Sequence, residues 1–192
     1  MSQQGFGEWL GRSVVTDGLG NPLCVAHATD DTTFVPALRY GMGPHFSDEE
    51  TATNRLLQRM DDGDEVAEAS LYRAFLRIER PLRMRDVHFD ELCTFIEGVL
   101  ETGVIDEDEV RACCGSRESW YRVSSQQNAV LMARVVQLLR CLGFDGIAYE
   151  NYIEGTGSVT WIPFTIEQIL EAPETPPASD SSIPRRTIPS FG

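Results

Sequence analysis

Residues 70–78, SLYRAFLRI, set Tyr72, Ala74, Leu76 and Ile78 against Leu71, Arg73, Phe75 and Arg77. That period of two is the mark of a strand with one apolar face, and Pro81 is placed to stop it. Residues 22–29, PLCVAHAT, are short and apolar and predict a buried strand with His27 near its end. Residues 144–153 begin in a turn and become a strand, GTGS forms a hairpin-like loop, and 159–164, VTWIPF, is a further strand whose Pro163 implies an edge or a bulge. Helical spacing appears elsewhere. In 90–100, Leu92, Phe95, Ile96, Val99 and Leu100 fall on one face and Gly103 suits the position after the helix. Ser47 or Asp48 can cap a helix that runs to about Met60, with acids in its first turn. DEDEVRACC forms a short helix, and Ser124 or Ser125 caps a strong one over AVLMARVVQLLRCL, closed by Gly143. The opening segment, with Trp9, passes into the turn cluster TDGLGNP without a predicted element. Strands and helices mix without regular βαβ alternation, so the fold class is α+β. Residues 1–171 read as one domain, and 172–192, rich in Pro, Ser and Thr, as a disordered tail.

Composition narrows the field. With 192 residues and 42% hydrophobic content the chain can bury a sizeable core. Its net charge of -14 repels phosphate backbones, so no nucleic-acid partner is expected. All 16 basic residues are arginine, a bias that codon usage or selection against lysine would produce. No apolar run of membrane-spanning length and no signal-peptide pattern occurs, so the expectation is a soluble chain, in a bacterial cytoplasm or delivered into a target-cell cytosol. The five cysteines lie in apolar stretches without a CxxC pair, which predicts buried free thiols and no zinc site.

Four segments carry a family resemblance: WLGRSVVTDGLGNPLCVAHAT, GPHFSDEETATNRL, LYRAFLRIERPLRM and LRCLGFDGIAYENYIEGTGSVTWIPFTIEQI. In this order and spacing they resemble the ADP-ribosyltransferase domains of phage and mobile-element polyvalent proteins. Those domains are related to the group that includes diphtheria toxin and the poly(ADP-ribose) polymerases. The resemblance implies two packed mixed β-sheets with NAD+, a substrate, held in the cleft between them.

It also implies roles for individual residues. His27 would hydrogen-bond the adenosine ribose and act in catalysis. Ala28 stands where the family has a glycine whose backbone holds the carboxamide, and Thr29 matches the small hydroxyl residue. His45 takes the place of a stacking tyrosine, with Phe46 more a core residue and Ser47 a polar contact at the cleft. Leu56 takes the place of the second stacking tyrosine, and Tyr40 is a candidate substitute. The acid of the polymerases falls at Thr160, which carries no charge. Glu154 is therefore the candidate carboxylate to support the oxocarbenium-like ribose, with Glu150 second. Trp161, Phe164, Tyr149 and Ile147 read as core; Trp9 and Trp120 as core or cleft wall. The arginines from Arg73 to Arg85 read as an exposed strand face, or as a greeting for a pyrophosphate.

The implied activity is mono-ADP-ribosyl transfer from NAD+ to a protein acceptor, in an effector, toxin or phage setting. Because Ala28, His45, Leu56 and Thr160 depart from the family pattern, a non-catalytic NAD- or partner-binding module is the alternative. NAD+ hydrolysis would need the same clamp and carboxylate.

Overall fold

The computed structural model describes residues 3–61, 70–152 and 157–173. Alternation in the chain becomes two three-stranded sheets. Strands β1 (Val25–Thr29), β2 (Ser70–Leu76) and β6 (Ile169–Glu171) form one sheet, in the order β1-β2-β6 and antiparallel throughout. Strands β3 (Pro81–Met84), β4 (Gly146–Asn151) and β5 (Ser158–Pro163) form the other, with β4 in the middle. β3 runs parallel to β4 and β5 antiparallel to it. A parallel pair needs a long crossover. Here it carries four helices: α3 (Leu92–Glu101), α4 (Glu107–Cys114), α5 (Arg117–Trp120) and α6 (Ser125–Cys141). Two more helices, α1 (Gln3–Leu10) and α2 (Glu49–Asp61), belong to the first half of the chain. The α+β class is therefore as expected.

The apolar faces define three layers. Val25, Ala74, Leu76 and Ile78 meet Ala148 and Trp161 between the two sheets, with Phe46 buried among them. On the other face of the second sheet, Leu82, Ile147, Tyr149 and Ile162 pack against Phe95, Ile96, Val99, Val135, Val136 and Leu139 of α3 and α6. Residues 46 and 47 stitch the sheets together. Ser47 exchanges two backbone hydrogen bonds with Ala26 (2.7 and 3.0 Å), and Phe46 does the same with Trp161 (2.9 and 2.7 Å). Pro163 ends β5 at its pairing with Gly146.

Caps explain the helix ends. Asp48, rather than Ser47, caps α2 by accepting from the Thr51 N–H at 2.9 Å. Ser124 and Gln127 form a reciprocal capping box on α6, as do Asp106 and Glu109 on α4. Several expectations need correction. Pro81 starts β3 instead of merely ending β2; as the first residue of an edge strand its missing N–H costs nothing. The opening segment is a helix, α1, whose Phe6 packs on Phe75 with ring centres 4.9 Å apart. The third strand of the first sheet, β6, lies in the segment read as following the last strand, and Ala172 continues its bonding by donating to the Arg73 carbonyl at 2.9 Å. Cys24 and Cys141 are exposed, Cys93 and Cys113 partly buried, and only Cys114 is fully buried. Trp120 is core, with 1% of its surface exposed. Among the described residues no helix is long and apolar enough to cross a membrane.

Candidate functional site

The stitch at residues 46–47 decides which groups of β1 face the seam between the sheets. Ala26 turns its N–H and C=O toward Ser47. Backbone direction alternates along a strand, so the N–H and C=O of Ala28 point to the same edge, just past the end of the stitch. Val25, His27 and Thr29 instead turn their backbone groups toward β2, where His27 is opposite Tyr72.

The His27 side chain lies over this edge. Its Nδ1 is 3.0 Å from the backbone carbonyl oxygen of His45. A carbonyl only accepts, so Nδ1 carries a proton. Phe34 and Phe46 wall the ring, with centres 4.8 and 5.9 Å away. Thr29 is buried, and its hydroxyl accepts from the Asp31 N–H at 3.1 Å to shape the turn after β1.

At His45 the same ring nitrogen plays the opposite part. Its Nδ1 lies 2.9 Å from Nη1 of Arg55 and 3.0 Å from the Tyr149 hydroxyl. A guanidinium only donates, so Nδ1 is the acceptor and the proton sits on Nε2. Burial, then the Arg55 charge, then His27, hold the His45 pKa well below the ordinary histidine value. Phe89 meets the His45 ring edge-on at 5.1 Å. Burial pushes the Tyr149 phenol up to about 12, so it stays protonated. Across β4 and β5, Tyr149 is opposite Thr160, which is buried and accepts from Asn151 Nδ2 at 3.4 Å.

The structure thus brings together His27, Ala28, Thr29, His45, Phe46 and Ser47 around one strand edge. Phe46 is wholly buried, and Ser47 is buried and spends its backbone on the stitch, so both are scaffold. Leu56 is 3% exposed on α2 and belongs to the interior rather than to a ligand surface. Tyr40 is placed elsewhere. It occupies a tight turn at φ 58°, its hydroxyl accepts from Arg39 Nη2 at 2.8 Å, and its ring packs on the core of the helical layer. Thr160 is a sheet-core hydroxyl, and Glu150 is exposed and accepts from the Tyr152 hydroxyl. Glu154 lies outside the described residues. Of the arginine series, Arg73 pairs with Glu49 and Arg85 with Glu101, both on the surface.

Arg55, Tyr149 in its polar role, Phe34 and Tyr72 are members that sequence reasoning missed. Arg55 precedes a buried leucine on an amphipathic helix, and nothing in its spacing separates it from a solvent-facing arginine. Comparison of the chain with protein-family models, curated proteins and solved structures gives no match.

Proposed function

We propose that this chain binds NAD+ at the β1 edge and transfers ADP-ribose to a protein acceptor, releasing nicotinamide. One observation carries the reading: His27 and the Ala28 backbone sit side by side on the same strand edge. The His27 imidazole, anchored through Nδ1 on the His45 carbonyl, suits the ribose hydroxyls that the resemblance assigns to it. An edge N–H and C=O one residue on suit a carboxamide, which has one acceptor and one donor to match. Two small packed sheets joined by a two-residue stitch accord with the architecture the resemblance implies.

In this reading the chain's work is binding and electrostatics. The bond between the ribose and nicotinamide breaks, its electron pair leaves with nicotinamide, and the sugar carbon becomes electron-poor. A carboxylate beside that carbon stabilises it, and Glu154 is the residue the resemblance offers. The acceptor nucleophile then bonds to the carbon and gives up a proton. His45 would cover one face of the site as a neutral ring, since burial and the Arg55 charge hold it unprotonated.

A second reading has its own support. Thr160 and Leu56 are buried, so two family positions offer no ligand surface, and His45 is held in a polar network of its own. That favours a module that holds NAD+ or a partner without cleaving it. Calorimetric titration of the purified chain with NAD+, with nicotinamide release followed in parallel, separates the two. Release abolished by both His27→Ala and Glu154→Ala supports the transferase reading. Binding without release supports an NAD+-holding module, and no binding by the native chain rejects the transferase reading and leaves only a module for a protein partner.

A further inference from the structure

Adjacent residues on a helix do not ordinarily face each other. At the end of α4 two of them do: the sulfur atoms of Cys113 and Cys114 are 3.4 Å apart. Three features hold them there. Cys113 Sγ turns back to the Val110 carbonyl at 3.2 Å. Cys114 Sγ reaches across to the Leu131 carbonyl of α6 at 3.6 Å. Arg134 donates to the Cys113 carbonyl at 3.1 Å and fixes the peptide between them. Cys114 is buried, whereas Cys113 is partly open to solvent.

The spacing selects a chemistry. Neighbouring Cα atoms, about 3.8 Å apart, are closer than the roughly 4.4–6.8 Å that a disulfide prefers, so direct oxidation is strained. Two sulfurs 3.4 Å apart can instead bind one soft atom. At an atom–sulfur distance of about 2.3 Å that bite corresponds to an angle near 95° at the bound atom. A tetrahedral zinc ion wants about 109° and four ligands. Among the described residues no cluster of three or more His, Cys, Asp or Glu could hold a metal ion. A bite near a right angle with only two ligands fits a pyramidal trivalent centre, whose third bond points to solvent on the Cys113 side.

We infer that Cys113 and Cys114 form a vicinal dithiol site for trivalent organoarsenicals and compounds of the same thiophilic, pyramidal class. The step is a condensation. With an organoarsenic(III) oxide, two arsenic–sulfur bonds form and the arsenic–oxygen bond breaks. The oxygen leaves as water with both thiol protons, and arsenic stays trivalent. The site is separate from the His27 edge and does not depend on its function.

The test uses the full chain, reduced and folded, with phenylarsine oxide as probe and intact-mass detection. The expected result is one adduct per chain that needs about a hundredfold more monothiol for displacement than adducts on exposed Cys24 or Cys141, because the second sulfur binds intramolecularly. A dithiol should strip it readily. Cys113→Ser should abolish the resistance, while the Cys24→Ser, Cys141→Ser double variant should keep it. An unchanged circular-dichroism melt for Cys113→Ser shows that the fold is intact. Absence of a resistant adduct in the native chain, or its persistence in Cys113→Ser, overturns the assignment.

Discussion

Replacing Gln168 by alanine tests the junction at which the two sheets meet. Its carboxamide accepts from the Phe164 and Thr165 N–H groups at 3.0 and 2.9 Å. It donates to the Arg77 and Asp145 carbonyls, both at 2.8 Å. One buried side chain thereby serves four backbone groups, from the end of β5, the run after β2 and the turn before β4. Each lost bond costs about 1 kcal/mol, and more where water cannot enter. Phe164 is fully buried, while the other three residues are partly exposed and regain some hydration. The expected loss is about 3 kcal/mol, a large part of a typical domain's stability. In urea, with a slope of about 2 kcal/mol/M, the unfolding midpoint should fall by about 1.5 M. Gln168→Glu is the internal control. It keeps the acceptors, loses both donors and sets a negative charge against two carbonyl oxygens. It should be at least as damaging at pH 7 and recover partly in mild acid, when the carboxyl protonates and donates. A midpoint within about 0.3 M of the native chain for either variant at neutral pH would refute this account.

Three other outcomes are expected. His45 has a depressed folded pKa, so its contribution is complete above about pH 6.5 and is lost as pH falls below that value, when the unfolded chain alone takes the proton. Stability followed from pH 7 to 5 should therefore drop with a slope of up to about 1.4 kcal/mol per unit; His45→Gln should flatten it, and an unchanged slope would show that burial and the Arg55 and His27 charges do not hold the ring neutral. Asn128→Ala should cost about 2 kcal/mol by chemical denaturation, since Asn128 bonds the Leu92 N–H and the Asp90 carbonyl and so supplies α3 with the cap that Glu91 does not. Gly41→Ala should destabilise more than Gly103→Ala in thermal melts. Both positions have positive φ, but a Cβ at Gly41 would lie 3.2 Å from Ala133 Cα, whereas at Gly103 it would meet nothing within 4 Å.

Period and capping made most of the architecture legible. The alternation in residues 70–78, the apolar face of α3 and the serine cap of α6 all appear in the structure. β3 and β6 did not announce themselves, being four and three residues long, too short for a period to register. β3 is also built on a proline, which reads locally as a stop although an edge strand tolerates it. Cys24 and Cys141 sit next to apolar residues in sequence and yet face solvent, because position relative to the packing layer decides burial. At the candidate site, His27 and Ala28 were visible as a motif, but the direction of the Ala28 backbone follows from the stitch at Ala26 and Ser47, a contact between distant parts of the chain. The same holds for the His45 tautomer. No local pattern reveals that Arg55 approaches His45, since that depends on how α2 packs against β1.

The stitch at Phe46 and Ser47 also bears on how this chain avoids sticking to copies of itself. Both β1 and β5 are outer strands of their own sheets. Each would offer a row of unsatisfied amides and carbonyls on which another chain could template. A ribbon only two residues wide shields part of both borders at once, through Ala26 on one side and Trp161 on the other. A change that peels this ribbon away would release two adhesive borders together. Self-association should therefore set in abruptly, from a partly open molecule that still keeps its helical layer.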